Sequence, residues 1–375
     1  MLSKKVKEEL RLGLIICLVL LFFTFPISSF EANTQNSSSS KSIQEETQTI
    51  YSTSFEQEWT DSQISQYISP TEWFINGMCS GFQKDHMNLT HYWSKVEKNF
   101  SYVHTFWPYS PLHPPFARSG QFSAGIWGND GNQEPEIQKD QSDEWLISPE
   151  FDFTSYYDIT LQFWSIYVPN QQITIPFPYR IEVDNQYLVK LSDDDGNTWK
   201  TIADLRESRF RYGVNQRYDV YNNFDHPITL DLDKVKGKDN IRIGWHYYYE
   251  GNGTSDLWII DDVSIQGKYD SFAPDINIIA PNENNLYLFN RYTFPLDGNT
   301  IIIGPVDIKV DPTDEGTGTK LVKFYVDGQL TFTDETYPFS WQWSKTGFGK
   351  QTVTAVAYDY AGNSNEASFS AIKLF

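Results

Sequence analysis

Beyond residue 50 the apolar residues come in short runs or alternate with polar ones, cut repeatedly by Gly, Pro, Asn and Asp, and no long stretch holds a 3.6-residue period. One side chain in two on the same face is the pattern of a half-buried strand, so an all-β chain is expected. The stretch 241–245 is the clearest case, with Ile241, Ile243 and Trp245 alternating with Arg242 and Gly244. Composition points the same way: aromatic residues make up 16% of the chain and there are only 3 Met, a balance that favours pleated surfaces over helices.

A chain of 375 residues suits more than one core. Strands expected at 158–168, 179–191, 198–205, 228–232, 240–250 and 257–267 form a first block. Those at 300–310, 320–327, 329–332, 339–343, 350–359 and 367–374 form a second, about seven strands in roughly 100 residues, the spacing of an immunoglobulin-like sandwich. Asp270-Ser271-Phe272-Ala273-Pro274 has linker composition, which places a linker at 269–274 between domains at 51–268 and 275–375. Short helices are expected at 62–67 and 89–96, and long loops through 70–140.

Lys4, Lys5, Lys7 and Arg11 precede an apolar run over 12–25 that ends at Pro26, Ser28 and Ser29, the layout of a secretory signal peptide within 1–30. The run is shorter than the roughly 20 residues of a spanning helix, so cleavage is favoured; left uncleaved, it would be an N-terminal anchor and the route to a membrane. Residues 31–50 are polar and read as a disordered linker. Cys17 lies inside the apolar run, which leaves Cys79 without an intrachain partner and suggests a buried thiol. Ile16 stands where a lipidated cysteine would follow a small residue, against a lipoprotein. The net charge is −20; four basic residues against Glu8 and Glu9 in 1–30 leave about −22 on the exported part, which excludes nucleic acid as a partner. Asn36, Asn88, Asn99 and Asn252 begin glycosylation sequons.

In the first block, Ser54-Phe55-Glu56 is followed in order by Gly120 with Ser123-Ala124-Gly125, by 143–149 (DEWLISP) with Phe151-Asp152-Phe153, and by 258–265 (WIIDDVSI). The series resembles the MAM-like jelly rolls, which include the cleaved-adhesin and choice-of-anchor J domains of prokaryotic surface proteins. The stretch 59–118 departs from that pattern by its length. The second block, through 322–328 (VKFYVDG), 337–341 (YPFSW) and 357–363 (AYDYAGN), resembles the immunoglobulin-like repeats of prokaryotic surface proteins. It lacks the antibody-type disulfide, so Tyr325, Trp341, Trp343 and Tyr358 are expected to supply its core.

The first resemblance implies a structural Ca²⁺ where first and last strands meet, and the matching positions are Glu56, Asp143 and Asp261. Asp261 is preferred to Asp262 because alternation sends the two to opposite faces and Asp261 shares parity with Val263 and Ile265. Salt bridges or turn capping would account for the same carboxylates. Loop aromatics are candidate sugar or protein contacts, chiefly Trp107, Tyr109 and Tyr248, although in the run Tyr247 to Tyr249 about half must face inward.

Ser192-Asp193-Asp194-Asp195-Gly196-Asn197-Thr198-Trp199 matches the Asp-box, in which hydroxyls and an aspartate brace a hairpin and the Trp plugs the core. One copy does not make a propeller, so a structural hairpin is expected rather than a glycosidase. As an EF-hand it fails, because Leu191 would fall at the first ligand position. The 6 histidines include no HExxH pair, and no G-x-S-x-G elbow or phosphate loop is present. The expectation is therefore a non-catalytic, exported surface protein, with a jelly-roll β-sandwich that binds an extracellular protein or glycan and an immunoglobulin-like β-sandwich as spacer. A carbohydrate-binding module, or an accessory region related to secreted metallopeptidases, is the alternative.

Overall fold

The computed structural model describes residues 46–56, 59–61, 68–70, 74–79, 93–97, 117–127, 142–167, 173–174, 180–181, 186–210, 224, 226–249 and 257–375. The signal segment, Trp107, Tyr109 and the sequons at Asn36, Asn88, Asn99 and Asn252 lie outside these residues, as does the side chain of Cys79.

The described residues are strands joined by turns, with two 3₁₀ turns at Ser208–Phe210 and Asp233–Val235. The first sandwich contains β1 (Thr47–Thr53), β2 (Phe74–Cys79), β3 (Ser94–Glu97), β4 (Phe122–Trp127), β5 (Ser142–Ile147), β6 (Tyr156–Tyr167), β7 (Gln186–Ser192), β8 (Lys200–Asp204), β9 (Ile228–Asp231), β10 (Arg242–Tyr249) and β11 (Leu257–Tyr269). One sheet runs β9-β6-β11-β4-β3 and the other β8-β7-β10-β5-β2, with every pairing antiparallel. Alternation fills the space between them: Ile159, Leu161 and Phe163 from β6 meet Tyr187, Val189 and Leu191 from β7 and Ile243, Trp245 and Tyr247 from β10 in one buried cluster. An aromatic chain Trp93–Trp258–Tyr187–Tyr247 runs through that cluster with ring centroids 5.1 to 5.6 Å apart.

β11 is long enough to take two partners along one edge, β4 against its first half and β1 against its second. They meet at an irregularity between Asp261 and Ser264, where Asp262 takes a positive φ of 45°. β1 starts at Thr47, so pairing reaches into the stretch read from sequence as linker. The helix expected at 89–96 is corrected at its C-terminal end, because Ser94–Glu97 pairs with β4 and Trp93 is fully buried against Trp258. Residues 62–67 lie outside the described residues.

The second sandwich holds ten strands rather than about seven: β12 (Asp275–Ala280), β13 (Asn285–Leu288), β14 (Arg291–Pro295), β15 (Thr300–Ile303), β16 (Val306–Thr313), β17 (Thr319–Val326), β18 (Gln329–Asp334), β19 (Ser340–Trp343), β20 (Phe348–Asp359) and β21 (Ser364–Leu374). β12-β16-β19 form one sheet and β14-β13-β15-β21-β20-β17-β18 the other. The strand expected over 300–310 is two, because Gly304 at φ 81° turns the chain out of one sheet and into the other. Trp343 and Phe324 sit in the core with Trp341 packed against it, in place of a disulfide. Tyr325 and Tyr358 lie on the other parity of their strands and are only partly buried, so they are not core.

Candidate functional sites

The loop 117–122 and the break in β11 form the first acidic site. Asp261 is fully buried, and its Oδ2 accepts the amides of Arg118 (2.7 Å) and Ser119 (3.2 Å) while Oδ1 accepts that of Asp262 (2.8 Å). Glu56, just past β1, accepts the amides of Gln121 and Phe122 through Oε1, both at 2.9 Å. Gly120 makes the approach possible, because a Cβ there would lie 2.2 Å from that same oxygen. Burial, and then the charge of Asp262, raises the Asp261 carboxyl to about 7, although its three amide donors pull the other way. The expectation that Asp261 and Asp262 face apart is corrected: the irregular strand breaks alternation, and Asp262 also engages this loop, through the Arg118 guanidinium and the Ser119 hydroxyl.

Asp143 is elsewhere, on β5 in the other sheet, where its Oδ1 accepts from Trp145 Nε1 (3.0 Å) and contacts His246 Nε2 (2.6 Å). The three carboxylates matched to one calcium site are therefore split between two places, with Glu56 and Asp261 sharing a loop.

The outer face of the β8-β7-β10-β5-β2 sheet carries a ribbon of rings. Trp145 stacks on His246 at 4.0 Å and 12°, His246 leads to Tyr248 at 6.0 Å, and Trp199 lies 5.3 Å from Trp145. Gly244 leaves room for the two tryptophans, since a Cβ there would press both at 3.1 Å. Lys190, opposite Gly244 on β7, lies 4.7 Å over the Trp145 ring. Burial and then Lys190 lower His246 to about 4, against the pull of Asp143. The imidazole is thus neutral near pH 7, and Nε2–H donates to Asp143. Tyr248 is on this ribbon as a half-buried residue, Tyr247 is in the core, and the side chain of Tyr249 lies outside what is described.

The Asp-box forms its hairpin between β7 and β8. Asp194 accepts from Ser192 Oγ (2.7 Å), Thr198 N (2.8 Å) and Thr198 Oγ1 (2.6 Å), and Gly196 N donates to Ser192 Oγ (2.8 Å). Its tryptophan departs from expectation: Trp199 sits half-buried on the outer face against Trp145 and contributes to the ribbon instead of the core.

Beneath the ribbon, Glu144 points inward from β5, opposite Gly77 and Tyr247, fully buried and, among the described residues, with no hydrogen-bond donor to either oxygen. Burial, reinforced by Asp143, raises it to about 8. A third acidic group, Asp270, Asp314 and Asp359, gathers where the two sandwiches join, with one oxygen from each all within 4.8 Å of one another. Sequence reasoning missed it, because its members lie in the linker, a turn and a strand end. The one local signal was Asp359 in the 357–363 motif, read there as fold resemblance alone.

Residues 291–355 match the family model described as Bacterial Ig domain. The second sandwich is an immunoglobulin-like domain. No curated protein matches the chain in sequence. Among solved structures, the fibronectin(III)-like modules of CbhA from Clostridium thermocellum are 19% identical, covering 27% of this chain and 97% of that one at a TM-score of 0.22. The K1 cleaved adhesin domain of Lys-gingipain from Porphyromonas gingivalis is 13% identical, covering 60% of this chain and 99% of that one at 0.29. The glycoside hydrolase domain of Endo-D from Streptococcus pneumoniae is 12% identical at 0.28, and the match spans 86% of this chain but 43% of that structure. Among the described residues no helix is long and apolar enough to cross a membrane.

Proposed function

We propose that this chain is an exported, non-catalytic surface protein whose first sandwich binds a glycan and whose immunoglobulin-like domain serves as a spacer. The observation that carries the reading is the ring ribbon Tyr248–His246–Trp145–Trp199 on the outer face of one sheet. Trp145, Trp199 and Tyr248 are partly exposed around the buried His246, and their rings offer apolar surface on which a pyranose ring can stack, while Asp143 and Lys190 supply an acceptor and a donor for sugar hydroxyls. The neutral His246 keeps the ribbon free of a second positive charge near pH 7. The charged N-terminus followed by an apolar run supports export.

A glycan array probed with the full chain and with Trp145→Ala tests this. Retention of at least one glycan class by the native chain and its loss in the variant is the expected result. Binding that survives both Trp145→Ala and Trp199→Ala would move the site away from the ribbon, and no binding to any glycan would overturn the sugar reading.

A further inference from the structure

We propose that the pole of the immunoglobulin-like domain opposite Asp270 docks on an anionic lipid surface. The proposal goes beyond the spacer role and does not rest on the ring ribbon.

Neighbouring strands end together at this pole. The β13-β14 hairpin closes there, with Leu288 opposite Arg291 and with Phe289 and Asn290 at its tip. Gly304, just past β15, donates its amide to the carbonyl of Leu374 at the end of β21 (3.0 Å), and Leu374 stands opposite Phe348, the first residue of β20. Along the sheet order β13-β15-β21-β20, three steps of about 4.8 Å set the strand ends that carry Phe289 and Phe348 roughly 15 Å apart.

Both phenylalanines face water: Phe289 is 64% and Phe348 80% exposed. Phe289 is also fixed in place, since its ring lies over Gly304, where a Cβ would come within 2.6 Å of Phe289 Cδ1. It holds φ at 46° and Asn290 follows at 66°, the left-handed pair that Asn-Gly normally fills in a two-residue hairpin. A bulky residue there costs strain, and turn chemistry gives no reason for it. Exposed apolar groups held in this way mark an interaction surface.

Charge selects the partner. Arg291, Lys345 and Lys350 are exposed, each within three residues of one of the two rings, and among the described residues none of them forms an ion pair. Lys373 adds a positive charge beneath them, fully buried with its ammonium donating to the carbonyl of Gly304. Against these four stand Asp307, which accepts from Asn290 Nδ2 (2.7 Å), and Asp327, which accepts from Gln351 Nε2 (3.2 Å). The pole therefore carries about +2, while the remainder of 275–375 has 10 acidic against 3 basic residues. β20 is 12 residues long, so Asp359 at its other end lies roughly 36 Å from Phe348, several times the Debye length of about 8 Å at physiological ionic strength. An approaching surface thus meets the charge of the pole and is screened from that of the junction.

A second copy of the pole would set like charges face to face and does not fit. An anionic lipid surface fits both features, because its headgroups attract the basic side chains while the phenylalanines enter the apolar boundary beneath. Docked in this way, the domain holds the first sandwich at its far end, away from the lipid.

Hydrogen exchange of the full chain, with vesicles of phosphatidylcholine alone and of phosphatidylcholine mixed with phosphatidylglycerol, tests the proposal. The mixed vesicles should slow exchange about tenfold in 287–292 and 344–350, and high salt should remove the effect. Lys345→Glu combined with Lys350→Glu, which leaves residues 1–30 intact, should abolish the protection, and Phe348→Ala should weaken it. Protection that is equal for the two lipids, or absent from both segments, would overturn the proposal. So would protection that rises with protein concentration without vesicles, which would identify a second copy as the occupant, or protection by polyglutamate but not by vesicles, which would identify an acidic protein.

Discussion

The loop 117–122 and the junction at Asp270 both gather carboxylates, and they treat them in opposite ways. At the loop, Asp261 and Glu56 turn toward backbone amides, and each carboxylate finds donors within the fold. At the junction one oxygen from each of three carboxylates lies within 4.8 Å of the others, and among the described residues one oxygen of Asp314 finds no donor. Glu144 is a third solution: buried and, among the described residues, without donor or counter-charge, it has its pKa raised to about 8 and keeps its proton near pH 7. A buried carboxylate is thus held by amide donors or keeps its proton.

The largest effect should come from removing the amide-satisfied case. Asp261→Ala strips acceptors from the amides of Arg118, Ser119 and Asp262 in a buried setting, and should cost about 3 to 5 kcal/mol in urea unfolding. A loss under about 1 kcal/mol would mean the loop finds water instead, and the contrast with the junction would fail.

Glu144 should show the protonated solution through pH. Its folded value, about 8, lies above the unfolded 4.5, so the folded state holds a proton that the unfolded chain gives up. That stability is fully present below pH 4.5, declines as pH rises from there to about 8, and is level above. The loss by pH 7 is roughly 3 kcal/mol. Glu144→Gln keeps the shape without the charge, so it should flatten this slope and stabilise the protein at pH 8. An identical slope in both proteins would mean Glu144 is ionised and partnered when folded.

These two cases also mark what sequence can reveal. The parity of Ile241, Ile243 and Trp245 places β10 correctly, because period two is a local property that burial alone enforces. Parity misplaces Asp262 because an irregular strand depends on the neighbouring loop, and it merges β15 with β16 because both flanks of Gly304 are apolar. The ribbon is half legible in the sequence: Tyr248 stands out in its aromatic run, but Trp145 sits within a family motif and Trp199 in a hairpin motif whose tryptophan is expected in the core. Their meeting over Gly244 depends on the register of three strands. The junction cluster depends on residues 44 and 45 positions apart coming together, which no local pattern encodes.

The junction should respond more modestly to truncation. Fragments 268–375 and 272–375 both contain every strand of the immunoglobulin-like domain, but the shorter one lacks Asp270 and leaves Thr317 without its acceptor. The longer fragment should be more stable by about 1 to 2 kcal/mol. Equal stability of the two fragments would mean that water replaces Asp270 as the acceptor of the Thr317 hydrogen bonds.

The smallest effect belongs to a carboxylate that is not buried. Asp194 braces the Asp-box hairpin in the open, and its pKa falls to about 2 through the hydroxyl of Thr198, then that of Ser192, then the Thr198 amide. A depressed value reverses the sign found for Glu144: the contribution is fully present above the unfolded 3.8 and is lost as pH falls through about 2. The Thr198 amide resonance should therefore shift with a midpoint near pH 2, while the global unfolding transition barely changes across the same range, since an exposed charge gains little from its partners in water. Asp194→Asn should abolish the titration and leave the ring ribbon in place, because Trp199 is also held by packing against Trp145. A midpoint near 4 would show that the hairpin's hydrogen bonds do not persist in solution. Solvent would then satisfy this carboxylate, and Asp194 would be no guide to how the buried ones are held.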